Sequence, residues 1–116
     1  MRTGIFVGSF DPFTIGHDSI VRRALPLFDK LVIGVGVNDK KKYTTTTDER
    51  VKAIQAVYAN EPKVEVVAFS DCTMDLAKRV GAGFIVKGVR NVRDFEFERH
   101  QAEINRLVGN IATILL

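Results

Sequence analysis

The run from Leu31 to Val37, Leu-Val-Ile-Gly-Val-Gly-Val, contains no polar side chain and shows no alternation of apolar with polar positions. A near-continuous apolar strand of this kind is covered on both faces, which is the environment inside a parallel sheet sandwiched by helices. The flanking sequence must then supply further strands and the helices that cross between them.

It does so in strict alternation. Thr3 to Gly8 predicts a strand and His17 to about Phe28 a helix. After a polar loop from Asn38 to Thr46, Thr47 reads as an N-cap followed by acidic Asp48 and Glu49, opening a helix to about Ala59 that Pro62 terminates. Val64 to Phe69 predicts the third strand, Thr73 to Val80 a short helix closed by Gly81, and Gly83 to Lys87 the fourth strand. Val92 to Leu107 predicts a charged amphipathic helix, and Ile111 to Leu116 a final strand. The order βαβαβαβαβ predicts an α/β fold, a doubly wound, mostly parallel Rossmann-like sheet forming a single domain over residues 1–116.

Composition limits the function classes. With 46% apolar and 27% charged residues the chain has the make-up of an ordinary soluble domain. No apolar run approaches the roughly 20 residues that span a bilayer, and the N-terminus lacks a signal-peptide pattern, so a soluble cytoplasmic protein with no membrane partner is expected. The single cysteine, Cys72, forms no internal disulfide, fits a reducing compartment, and reads as a packing residue rather than a nucleophile. A net charge of +3 and a pI near 9.2 suit anionic ligands, but the excess is too small to argue for nucleic acid.

In doubly wound sheets ligands bind beyond the carboxyl ends of the strands, where the strand order reverses. Each predicted strand delivers a polar or basic cluster to that rim: Ser9 to His17 after the first, Lys40-Lys41-Lys42 after the second, Asp71 to Thr73 after the third, and Lys87-Gly88-Val89-Arg90 after the fourth. The first cluster, Gly-Ser-Phe-Asp-Pro-Phe-Thr-Ile-Gly-His from Gly8 to His17, sits at a strand-turn-helix junction, which aims free N–H groups and the positive helix end at an anion such as a phosphate. Gly8 and Gly16 allow close approach or positive φ, and His17 falls in the first helical turn. Taken singly, the glycines shape a turn and His17 caps a helix; Lys40 to Lys42 is a solvated run, and Arg90 and Arg93 pair with Asp94, Glu96 or Glu98. Taken together, cations from separate loops converging on a helix N-terminus make a polyphosphate site. Neither Gly-x-x-x-x-Gly-Lys-Ser/Thr nor Gly-x-Gly-x-x-Gly occurs, so this is a third kind of phosphate loop.

Gly8-Ser9-Phe10-Asp11-Pro12 followed by Thr14-Ile15-Gly16-His17 resembles the signature of the nucleotidyltransferases that carry a His-x-Gly-His or Thr-x-Gly-His motif, and Thr14 resembles the phosphopantetheine adenylyltransferases in particular. The likeness covers essentially the whole chain, including Phe28-Asp29, Thr46 to Arg50, Val64 to Asp71, and Gly88 to Arg90 with Asp94 to Glu98. It implies that Ser9, Phe10 and His17 contact ATP, and that Gly88, Val89, Arg90 and Glu98 hold its phosphates and adenosine. On the other substrate, 4′-phosphopantetheine, it implies Ser9, Lys41, the backbone about Thr73, and Lys87, where the family more often has arginine. It further implies a homo-oligomer, a hexamer built as a dimer of trimers. Family members continue into a Ser-Ser-Ser/Thr-x-Val-Arg segment and terminal helices; this sequence stops at Leu116, so the C-terminal part of the family fold is absent from it.

The reaction implied by the resemblance is attack of the 4′-phosphopantetheine phosphate on the α-phosphorus of ATP, giving dephospho-coenzyme A and pyrophosphate. That nucleophile is already anionic, so alignment and charge stabilisation, rather than a general base, are what the protein must supply. His17, Lys41 and Arg90 are the expected catalytic groups: His17 on the α-phosphate, Lys41 on the attacking phosphate, Arg90 on the departing pyrophosphate. Mg²⁺ is expected to arrive with ATP, with no dedicated protein metal site.

Overall fold

The computed structural model describes residues 1–37, 45–89 and 91–116. Among these residues five strands form one fully parallel sheet: β1 (Thr3–Gly8), β2 (Lys30–Gly36), β3 (Val64–Phe69), β4 (Phe84–Lys87) and β5 (Ala112–Leu115), in the order β3-β2-β1-β4-β5. Among the described residues four α-helices cross between them: α1 (Ile15–Ala24), α2 (Thr47–Val57), α3 (Thr73–Val80) and α4 (Val92–Gly109). The chain winds outward from β1 through β2 to β3, returns across the sheet by α3, and winds the other way through β4 to β5.

The side-chain period of a strand explains why β2 lacks alternation. Leu31, Ile33 and Val35 enter one core with Phe6, Val21, Ala24 and Ile54, whereas Val32 enters a second core with Ile5, Ala77, Ile85 and Ile111. The first core lies under α1 and α2, the second under α3 with Ile111, just before β5, at its side, so both faces of β2 are covered and every position must be apolar. Gly34 in the same strand is required by contact: a Cβ there would stand 2.7 Å from Leu76 Cδ2.

Several expected boundaries move, α1 beginning at Ile15 rather than His17 among them, and two of the shifts have identifiable reasons. The first helix ends at Ala24 rather than Phe28, because Pro26 cannot continue an α-helix and the chain tightens into a 3₁₀ turn over Leu25–Leu27. The N-cap of α2 is Thr46 rather than Thr47; the Thr46 hydroxyl accepts from the Glu49 N–H at 3.1 Å, leaving Thr47 as the first helical residue. α3 closes on Gly81 in the left-handed region (φ 71°) as its position predicts, and α4 closes on left-handed Asn110 (φ 53°).

Candidate functional site

The strand order reverses between β1 and β4, and a cleft of about 810 Å³ opens there at the carboxyl ends of both strands. One wall is the loop from Gly8 to Pro12, another the first turns of α1, and a third Lys87, Gly88 and Val89 with Leu116.

The entry to α1 is built as a reciprocal cap. Thr14 is the N-cap, in extended conformation; its hydroxyl accepts from the His17 N–H at 3.3 Å, and its own N–H donates to His17 Nδ1 at 2.8 Å. This is a capping box with histidine in the position that glutamate or glutamine usually takes. The arrangement sets the tautomer: a ring nitrogen that accepts a backbone N–H carries no proton, so the neutral imidazole holds its proton on Nε2. The ring lies edge-on to Phe10 at 5.0 Å and against Phe13 at 5.3 Å. Burial among these rings pulls the His17 pKa below its ordinary 6.5. Protonation of Nδ1 would also turn it into a donor facing the Thr14 N–H. At neutral pH the group is therefore an uncharged N–H donor lining the cleft.

The backbone beside it adds donors. Among the described residues the N–H groups of Phe10, Ile15 and Gly16 have no protein acceptor, and Phe10 and Gly16 line the cleft. Gly16 has no positive φ, and a Cβ there would meet only the Thr14 hydroxyl at 3.5 Å, so packing does not demand glycine. What its missing side chain does is leave the helix N-terminus open to close approach. Phe10 is the unusual residue: it is 3% exposed and left-handed at φ 49°, its ring held by Phe6 at 5.3 Å and Phe13 at 5.4 Å. The next peptide, Asp11–Pro12, is cis.

Of the residues expected at the site, Ser9, Phe10, His17, Lys87, Gly88 and Val89 line this cleft together. Glu98 stands behind it on α4, with Oε2 3.8 Å from Lys87 Nζ and its side chain 16% exposed, and is not part of the lining. Thr73 is the first residue of α3 and also lies outside the lining. Asp71, from the same expected cluster, accepts from Arg79 at 2.8 Å. Lys41, with Lys40 and Lys42, and Arg90 fall outside the described residues.

Sequence reasoning missed three contributors. Thr14 was legible as part of a motif but not as the group that orients the imidazole. Arg23, in the last turn of α1, lines the cleft. Arg50, in the first turns of α2, is only 3% exposed, and its Nη1 donates to the Ser9 carbonyl at 2.5 Å while Nη2 donates to the Thr47 hydroxyl at 3.2 Å. The signal for Arg50 was weak, because an arginine after two acidic first-turn residues reads as part of a solvated surface.

Comparison with known proteins gives the family. Residues 5–114 match the family model described as cytidylyltransferase-like. The chain is 48% identical over its whole length to a phosphopantetheine adenylyltransferase of Flavobacterium johnsoniae, of which it covers 76%, and 50% identical to that of Phocaeicola vulgatus, of which it covers 77%. In structure it is similar to a lipopolysaccharide core biosynthesis protein of Thermoplasma volcanium, with a TM-score of 0.71 at 20% identity over 100% of this chain and 96% of the other, a likeness of fold alone. The chain spans about three quarters of its curated relatives' length. On the full-length family match and near-half identity, the chain belongs to the cytidylyltransferase-like nucleotidyltransferases and, among them, to the phosphopantetheine adenylyltransferase family.

Proposed function

We propose that this chain transfers the adenylyl group of ATP to 4′-phosphopantetheine, forming dephospho-coenzyme A and pyrophosphate in coenzyme A biosynthesis. The observation that carries the reading is the His17 ring at an open helix N-terminus inside the cleft between β1 and β4, its Nδ1 accepting the Thr14 N–H at 2.8 Å so that Nε2 is left to donate. An α-phosphate seated on that helix end meets the Gly16 N–H and the imidazole donor together, and the charge that grows on its oxygens during transfer is met by dipoles already in place. The attacking phosphate is an anion, so the site needs no nucleophilic side chain and no base.

Lys87, on the opposite wall, supplies the positive charge for the acceptor phosphate, with Glu98 holding its ammonium from behind. The family resemblance supports Lys41 orienting the attacking phosphate, Thr73 on the pantetheine side, and Arg90 with Gly88, Val89 and Glu98 on the nucleotide. Mg²⁺ enters as part of the substrate, bound to ATP phosphates; Asp11 is a carboxylate lining the cleft, an oxygen donor of the kind this hard cation accepts. The resemblance also supports a cytoplasmic homo-oligomer, a hexamer. Phe97, Ile104 and Leu107 on α4, at 62%, 43% and 86% exposure, are apolar surface that such an assembly could use. Among the described residues no helix is long and apolar enough to cross a membrane. Light scattering at micromolar concentration gives the subunit number directly, and a monomer would refute the assembly.

The decisive measurement is pyrophosphate release with 4′-phosphopantetheine as acceptor and ATP or CTP as donor. Release with ATP is expected. Release with CTP in preference to ATP would assign the chain to cytidylyl transfer, and nucleotide binding without any release would make it a binding module.

A further inference from the structure

The buried guanidinium of Arg50 does more than tie α2 to the sheet. Its Nη1 reaches the Ser9 carbonyl at 2.5 Å and the Gly36 carbonyl at 3.5 Å, so it bridges the carboxyl ends of β1 and β2. β2 lies on one side of β1, and β4, with the cleft, lies on the other. In a trans peptide the C=O and N–H point in opposite directions. A Ser9 carbonyl drawn toward β2 therefore turns the N–H of the same peptide unit, that of Phe10, toward β4. That N–H has no protein acceptor among the described residues, and Phe10 is left-handed, a conformation that a non-glycine residue keeps only where its surroundings enforce it.

We propose that Arg50 is a positioning residue of adenylyl transfer, holding the Ser9–Phe10 peptide so that the Phe10 N–H faces the cleft as a phosphate donor beside His17. The same hold keeps the Phe10 ring edge-on to the imidazole at 5.0 Å, so one buried arginine orders two donors from behind the strand. It touches no substrate. A carbonyl left unpinned at this place could rotate its negative end toward the polyphosphate, and the site would then repel what it has to hold.

The proposal rests on the adenylyl-transfer reading, and its test separates the two. The amide signal of Phe10 is followed by ¹H–¹⁵N NMR as ATP is added to the wild type and to Arg50→Lys, which keeps the charge but loses the forked geometry. In the wild type the Phe10 amide proton moves downfield on saturation with ATP. In Arg50→Lys that movement is lost or at least halved, and kcat falls about tenfold to a hundredfold, as for a lost transition-state donor, with little change in KM for ATP. Thr47→Val, which removes only the Nη2 acceptor, gives a smaller loss with the same signature and serves if the lysine variant does not fold. An equal Phe10 response in wild type and variants would overturn the proposal and leave the function standing. No response of Phe10 to ATP in a wild type that releases pyrophosphate would overturn it as well, and no release at all would remove the reading beneath it.

Discussion

The two rims of the sheet carry comparable hollows and use their polar groups in opposite ways. At the amino ends of β1 and β2 a groove of about 510 Å³ is bordered by Arg2, Asp29 and Lys63. Three of its donors are spent within the chain: Arg2 Nη1 on the Leu27 carbonyl at 3.1 Å, the Arg2 N–H on Asp29 at 2.6 Å, Lys63 Nζ on the Leu25 carbonyl at 3.2 Å. At the carboxyl ends the N–H groups of Phe10 and Gly16 and the Nε2–H of His17 have no acceptor among the described residues. Cations border both hollows. What distinguishes a site from a structural seam is donors held in place and left unused, because each such donor is desolvated at a cost that only a ligand offsets.

Removing an unused donor should therefore damage chemistry, and the largest effect belongs to His17. His17→Ala is expected to lower kcat on the order of a hundredfold or more while leaving the Kd for ATP almost unchanged, since the interaction grows with the transition-state charge. Pyrophosphate release at saturating substrates, set beside calorimetric ATP binding, checks it. A parallel loss of affinity and turnover would make His17 a ground-state contact. Next in size, Lys87→Met should raise KM for 4′-phosphopantetheine about tenfold to a hundredfold, the loss of one charge-assisted bond, with the ATP side little altered. An unchanged acceptor KM would take Lys87 out of the site.

Changes at the amino rim should register as stability instead. Gly4 is enclosed by Phe28, and a Cβ built there would lie 2.8 Å from the ring. Gly4→Ala is expected to cost about 1–3 kcal/mol by overpacking, seen as a lower urea midpoint, with the kcat of the folded enzyme retained. A kinetic defect in that variant at unchanged stability would break the contrast between the rims.

The pH response of stability offers a subtler probe. His17 takes its proton near pH 6.5 when unfolded and below that when native. As the pH falls from 6.5 the unfolded chain binds protons that the native chain refuses, so stability present above pH 6.5 is lost on acidification, until the native pKa is reached. His17→Gln should flatten the urea-unfolding free energy across that window. An unchanged slope would mean that the ring is not held neutral.

How much of this was legible in the sequence follows from what each residue's neighbours are. β2 declared itself because its two faces meet two cores, and that pattern is local. The Gly8 to His17 junction declared itself through motif and periodicity, and Ser9, Phe10, Lys87, Gly88 and Val89 followed from the rule that strands of such a sheet deliver their loops to one rim. Arg50 did not, because its partner Ser9 is 41 positions away and only the strand order β3-β2-β1 brings them together. Glu98 was tied to the nucleotide by resemblance alone; its contact with Lys87 depends on α4 packing against β5, the neighbour of β4 in the sheet, which no local pattern encodes. The left-handed Phe10 was illegible for a related reason: a bulky residue takes positive φ only under tertiary constraint.

The smallest expected effect tests the comparison at its weakest point. Lys63 borders the amino-rim groove and, to an anion passing by, looks much like Lys87. Its ammonium, however, is bound to the Leu25 carbonyl, at the turn where Pro26 ends α1. Lys63→Ala should then cost no more than about 1 kcal/mol, the net worth of one part-exposed hydrogen bond, and should leave both KM values where they were. If instead this variant bound 4′-phosphopantetheine or ATP less well, a donor already engaged within the chain would be serving a ligand, and the distinction between spent and unspent donors would fail at the rim where it is easiest to see.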